Sequence, residues 1–179
     1  MKKSMGKTTS FDPEKFKDIR LQIQSVWSDP TIQGVYVKKL KTLADGRGDL
    51  TEIWSLKWED KNILKPEHIY YNLTDKDITK GWHWHEKTFS QFVCLAGKMQ
   101  IVLIDLRKES RSFGHVNQFI ASSKNPLFIK IPPVVLKGWK ALEENSIIIN
   151  LLSSPDTSDN FKISTQTLLT DIWQPKSEW

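Results

Sequence analysis

Cysteine is almost missing from this 179-residue chain. Cys94 is the only one, so no internal disulfide can form and metal sites built from several thiolates are excluded. It lies between Val93 and Leu95 in an apolar run, where a thiol serves as a small core residue rather than a nucleophile. Long hydrophobic runs are lacking too: none approaches the roughly 20 residues that a membrane-spanning helix needs. The basic opening MKKSMGKTTS has no apolar segment behind it, so a secretory signal is not expected. Charge of one sign is never massed. Lysine and arginine number 26 against 21 acidic residues, a net of +5, and the two signs are interspersed. Such a balance suits a phosphate-bearing small ligand as well as it suits nucleic acid. No zinc-finger spacing, helix-turn-helix pair or aromatic ribonucleoprotein motif goes with it. The expectation is a cytoplasmic protein with neither membrane nor nucleic acid as partner.

What is present is enough for one domain with a core, since 11% of the residues are aromatic. Residues 1–10 read as a flexible lead. Asp12 followed by Pro13 reads as a helix cap and first position, and Phe16, Ile19, Ile23 and Val26 recur at three- and four-residue steps. This predicts an N-terminal helix over 11–29, ending before Pro30. From residue 30 to 179 the pattern becomes that of short strands. GVYVKKL, LTEIWSLKW, HIYYNL, FSQFVCLAG, KMQIVLIDLR, NQFIAS, LFIKIPP and SIIINLLSS are rich in β-branched and aromatic residues and divided by turn formers. About eight closely spaced strands with few helices predict an all-β sandwich, jelly roll or barrel. Gly97 is expected to make a hairpin turn in LAGKMQ.

The chemistry concentrates in KGWHWHEK, Lys80 to Lys87. Alternate residues of a strand share a face, so His83 and His85 point one way, Trp82 and Trp84 the other. Three readings follow. Two histidines two apart resemble a metal half-site, but the position where a further ligand is expected holds Lys137, whose protonated amine has no lone pair to give. Acid–base chemistry without a metal is the second reading, with Lys80, Lys137 or Arg47 as the cation that steadies an anion. The third makes both histidines hydrogen-bonded wall residues.

Four segments, in this order, resemble a known family: DGRGDLTE (Asp45 to Glu52), KGWHWHE (Lys80 to Glu86), GKMQIVLIDLRKES with SFG after it, and IPPVVLKGWKAL (Ile131 to Leu142). They are similar to the successive motifs of the dTDP-4-dehydrorhamnose 3,5-epimerases, D-x-R-G-x-F-x-E, R-G-L-H-Y-Q, G-x-V-x-D-V-x-V-D-x-R-x-x-S and I-P-x-G-F-A-H-G-F. The resemblance implies a cupin-type jelly roll, or double-stranded β-helix, usually dimeric. It implies action without cofactor or metal on a nucleoside-diphosphate 4-keto-6-deoxysugar, by proton abstraction next to the C4 ketone. His83 falls on the family's base, Arg47 and Glu52 on ligand-binding positions, and Lys80 on an arginine. Lys137 replaces a histidine, Ser90 a lysine and Asn150 the catalytic tyrosine. The aspartate that orients the base has no clear match, and Asp171 in TDIWQP stands as the available substitute. The histidine pair followed by Gln91 and Gly97 also resembles the related sugar 3,4-ketoisomerases, which implies a proton-carrying role for His85.

The resulting expectation is a homodimeric epimerase or isomerase of a dTDP-linked sugar, serving polysaccharide or deoxysugar biosynthesis. His83, His85, Lys137 and Asn150 are the catalytic candidates, and Arg47, Glu52, Lys80, Gln91, Tyr71 and Trp139 the substrate-binding ones. A strand must turn one of Tyr70 and Tyr71 inward, where a phenol could supply the proton donor missing at Asn150. His68 and His115 read as surface groups. A non-catalytic sugar-nucleotide-binding module and a metal-dependent cupin enzyme are the alternatives.

Overall fold

The computed structural model describes residues 11–26, 28–156 and 158–174. The flexible lead expected for residues 1–10 lies outside the described residues, as do 175–179. Thirteen strands follow in order among them: β1 (Gln22–Ile23), β2 (Tyr36–Lys39), β3 (Thr42–Asp45), β4 (Gly48–Thr51), β5 (His68–Thr74), β6 (Thr79–His85), β7 (Ser90–Ala96), β8 (Lys98–Asp105), β9 (His115–Ser122), β10 (Leu127–Ile131), β11 (Val135–Ala141), β12 (Ser146–Leu152) and β13 (Asn160–Lys162). They form a six-stranded sheet in the order β1-β9-β8-β11-β6-β13, a five-stranded sheet in the order β2-β10-β7-β12-β5 and a separate hairpin, β3-β4. Apart from the parallel pair β1–β9, neighbours run antiparallel. Chain neighbours are thus often in different sheets, as in a jelly roll, and the two sheets enclose the interior.

Alternation decides which residues fill that interior. Phe92, Cys94, Ile101, Leu103, Trp139 and Ile148 come from both sheets and meet in one buried cluster. The outer face of the six-stranded sheet is covered as well. Trp82 and Trp84 pack there with Phe16, Leu168, Ile172 and Trp173, under the two ends of the described chain. A third cluster on the outer face of the five-stranded sheet joins Val93 and Phe128 to Ile53, Trp54 and Trp58.

The helix predicted over 11–29 is not formed. Asp12 does cap and Pro13 does open a helical turn, with Asp12 Oδ1 accepting from Glu14 N at 3.2 Å, but it is a single 3-10 turn, Pro13–Phe16. Of the apolar residues found at helical spacing, Phe16 and Ile19 reach the outer core, joined by Leu21, whereas Ile23 is 49% exposed in the short strand that pairs with β9. LTEIWSLKW is not one strand either. Only its start belongs to β4, and residues 53–63 cross the five-stranded sheet as a loop, burying Ile53, Trp54 and Trp58 without a ladder.

The DLR-x-x-S segment, the most specific of the motifs, does structural work. Buried Asp105 accepts from Arg107 Nε at 2.7 Å and from the Ser110 and Ser112 hydroxyls, both at 2.6 Å. Arg107 also donates to Gln33 O at 2.7 Å, locking the β8–β9 turn to the strand entry before β2. Hydrogen bonds of this number keep the carboxylate charged where burial alone would neutralise it.

Candidate active site

β6 carries the histidines because its two neighbours hold it in a fixed register. Lys137 of β11 lies opposite His83, and β13 lies along the other edge with Asn160 opposite His85. Residues opposite one another share a face, so His83 and Lys137 both point inward, as does His85, two residues on. Trp82 and Trp84 point into the outer core. On the facing sheet Asn150 of β12 lies opposite Phe92 of β7 and Tyr70 of β5, and points inward between them. Trp139 joins the two walls, its ring 5.2 Å from His83 and 5.7 Å from Phe92, both edge to face. Its indole N–H donates to Thr74 Oγ1 at 3.1 Å, which leaves the ring itself as the contact surface.

His85 is 1% exposed and its Nδ1 lies 2.8 Å from Asp159 Oδ1. The second oxygen of Asp159 accepts from Lys87 N and Thr88 N, both at 2.9 Å. Burial pushes that carboxyl up, but the hydrogen bonds from His85, Lys87 and Thr88 outweigh it and hold it below its ordinary range. A charged carboxylate on Nδ1 selects the tautomer with its proton there, so Nε2 keeps a lone pair. Nε2 is buried and has no hydrogen-bond partner among the described residues, and the same holds for Ser90 Oγ and Asn150 Oδ1.

Both imidazoles are neutral at neutral pH. Burial holds His85 below its ordinary value, Lys137 adds to this, and Asp159 partly offsets it. His83 is held further below, by burial first and then by Lys137 and His85. Lys137 is 1% exposed, and burial brings its amine down to about 7, partly opposed by Asp159. Two neutral bases therefore stand beside an amine poised between charged and neutral. No group of three or more metal-ligating His, Cys, Asp or Glu side chains occurs among the described residues.

Of the residues singled out in the sequence, His83, His85, Lys137, Asn150 and Trp139 come together here. The others do not. Gln91 alternates with inward Phe92 and points out, where its amide accepts from Leu64 N at 2.7 Å and donates to Leu64 O at 3.0 Å, pinning the loop after β4. Tyr71 is 67% exposed on the outer face of β5, and it is Tyr70 that turns inward and accepts from Asn150 Nδ2 at 2.9 Å. Arg47 sits at the tip of the β3–β4 hairpin in an ion pair with Asp45, and Glu52 accepts from Trp58 Nε1. Lys80 donates to Leu73 O at 2.9 Å, tying the start of β6 to the end of β5. His68 is half-buried with its ring edge-on to Tyr70 at 5.6 Å, rather than a surface group, and His115 is bonded to Thr31.

Asp159 is the residue of this cluster that sequence reasoning missed. It pairs with His85, where Asp171 was the carboxylate expected beside a histidine, and comes from the loop before β13, 74 residues from His85. Asp171 lies instead in the final 3-10 turn, Thr170–Trp173.

Comparison with known proteins identifies relatives of the chain and its fold. A Haloferax volcanii protein named "Probable low-salt glycan biosynthesis epimerase Agl13" is 34% identical over 123 residues, 68% of this chain and 78% of that protein. The Bacillus subtilis spore coat polysaccharide biosynthesis protein SpsL is 32% identical over 139 residues, 74% of this chain and 89% of that one. A solved structure of a 3'-monoepimerase variant from Streptomyces bikiniensis, in complex with dTDP, superposes with a TM-score of 0.71 at 14% identity. It covers 77% of this chain and 73% of its own, and so confirms the cupin-type jelly roll. The family described as dTDP-4-dehydrorhamnose 3,5-epimerase matches residues 29–174, and the chain belongs to that family.

Proposed function

We propose that the protein epimerises a dTDP-linked 4-keto-6-deoxysugar without a cofactor, with His85 as the base. The observation that carries this reading is the buried His85–Asp159 pair, with Nε2 left without a hydrogen-bond partner among the described residues and Lys137 nearby. The C4 ketone acidifies the neighbouring C–H. His85 Nε2 takes that proton, the electron pair of the broken bond moves onto the ketone oxygen, and the Lys137 ammonium steadies the enolate. Return of a proton to the other face of the carbon restores the ketone and completes the inversion. The expected assignment of the base to His83 shifts by two residues, because the orienting carboxylate contacts His85. His83, edge-on to Trp139, is then a second proton carrier.

Proton NMR in deuterium oxide with dTDP-4-keto-6-deoxyglucose tests this. The signal of C3–H or C5–H should disappear with the wild-type protein, and His85→Asn should slow that loss by about 10²–10⁴-fold, the usual contribution of a positioned base. Saturable binding with no exchange would sink the epimerase reading. The pairing of two inward histidines favours one second reading, a 3,4-ketoisomerase. In the same spectra it would appear as a keto group moved from C4 to C3.

Residues 30–179 form the working domain in this proposal, and the protein is a homodimer of the cytoplasm. An exposed apolar sheet face supports the dimer, and the lone thiol a reducing compartment. No helix among the described residues is long and apolar enough to cross a membrane.

A further inference from the structure

Inversion at carbon needs a base on one face of the sugar and a proton donor on the other. The base above stands on β6, in the six-stranded sheet. A donor must therefore come from the five-stranded sheet, and Asn150, the inward residue of β12, has no acidic proton to give.

We propose that Tyr70 is that donor, its phenolic proton passing to the enolate carbon from the sheet that faces the one carrying His83 and His85. β5 and β6 leave the same turn, residues 75–78, and enter opposite sheets. The Lys80–Leu73 hydrogen bond holds their near ends together, so their inner faces confront each other. Tyr70 stands four residues back from the end of β5 and His83 four residues on from the start of β6, which sets the phenol at the level of His83, with His85 at the next inward position of the same strand. The inner row of β5 is His68, Tyr70 and Asn72, all half-buried, while Ile69, Tyr71 and Leu73 face outward. Tyr70 is thus the one phenol presented to the interior, since Tyr71 is on the outer face and Tyr36 donates to Asp60.

Its hydrogen bonding suits the role. The Tyr70 oxygen accepts from Asn150 Nδ2, which fixes the ring and leaves the hydroxyl proton to be given elsewhere. Burial keeps the phenol above its ordinary value, with the Asn150 bond pulling the other way, so the proton is in place throughout the neutral range. In the step itself the O–H bond breaks as the new C–H bond forms and the enolate collapses to the ketone. The phenolate then takes a proton from solvent, and His85 gives one up.

This inference rests on the epimerase reading, and one experiment separates the two. In deuterium oxide with dTDP-4-keto-6-deoxyglucose, both loss of the C–H signal and formation of inverted product are followed for wild type and Tyr70→Phe. Expected is a fall in inversion of 10²-fold or more with exchange at the same carbon kept, because His85 can still remove a proton and return a deuteron to the same face. Asn150→Leu, which leaves the phenol but removes its anchor, should separate the two rates in the same direction, and stands in if Tyr70→Phe does not fold. Inversion at the wild-type rate in either folded variant overturns the assignment, and so does an equal loss of exchange and inversion. A wild-type protein that binds but neither exchanges nor inverts overturns the epimerase reading, and the role of Tyr70 with it.

Discussion

Lys137 is buried, and at pH values where its amine is charged the fold is less stable for holding it there. In the unfolded chain its amine titrates at the ordinary 10.5, in the folded protein at about 7. Between those values the unfolded state binds a proton that the folded state does not, so stability rises with pH across that window. Below about 7 both states are charged and the full burial cost applies. Lys137→Met should therefore stabilise the protein by about 1–4 kcal/mol at pH 6, and this gain should fade as pH rises towards 10.5. Thermal melts at the two pH values check it. The same variant should lose the enolate cation and most activity. In the wild type, kcat/KM should fall on the alkaline side near pH 7 as Lys137 discharges, and on the acid side below 6.5 as His85 takes a proton. A wild-type profile flat from pH 6 to 9 would remove Lys137 from the chemistry. Legibility at this scale followed locality. The pair His83 and His85 was visible because it lies within one strand, and Lys137 because a single motif carries it. Asp159 was not, because its tie to His85 spans 74 residues and starts from a loop without periodic pattern.

β6 and β11 approach each other unusually closely at two glycines, and that contact sets the position of His83 against Lys137. Gly81 has φ +150°, and a Cβ there would lie 2.8 Å from Gly138 Cα and 3.2 Å from Lys137 O. Both neighbours are backbone, so the strands themselves would have to part. Gly81→Ala should cost about 1–3 kcal/mol by overpacking, and it should lower exchange activity beyond what the melt explains, because the Lys137–His83 register is displaced. A melt and activity both equal to wild type would show that the contact is not needed. Most strands were legible, since alternation of apolar and polar residues is a local consequence of one face meeting a core. The N-terminal helix was not: of the residues at helical spacing in 11–29, Phe16 and Ile19 are packed on the outer sheet face by a bent chain, and Ile23 is left exposed. Strand alternation showed that one of Tyr70 and Tyr71 must face inward, but which one depends on the pairing of β5 with β12, a long-range fact. Gln91 failed for the same reason: it is out of phase with the inward Phe92.

At the scale of the molecule, the two sheets differ in how their outer faces are covered. The six-stranded sheet lies under the two ends of the described chain, with Trp82, Trp84 and Trp173 buried there. Among the described residues, the five-stranded sheet is covered on the side of β10 and β7, by the loop that carries Trp54 and Trp58. On its other side β5 exposes Ile69, Tyr71 and Leu73. Ile149 of β12 lies opposite Tyr71 and Ile147 opposite Leu73, and Leu95 of β7 extends the same surface. A continuous apolar sheet face of this kind is uncommon on a monomer, and a second copy presenting the same face would bury it by two-fold symmetry. Tyr71, expected to bind substrate, lies outside the interior that holds His85, and in such a dimer it would belong to the subunit interface. The double variant Tyr71→Glu, Leu73→Glu places two carboxylates in that interface and should convert a dimer to a monomer of 20.8 kDa in sedimentation velocity. Its melting temperature should then depend less on protein concentration than that of the wild type, because dissociation no longer accompanies unfolding. A wild-type protein that already sediments at 20.8 kDa would leave this face to some other use.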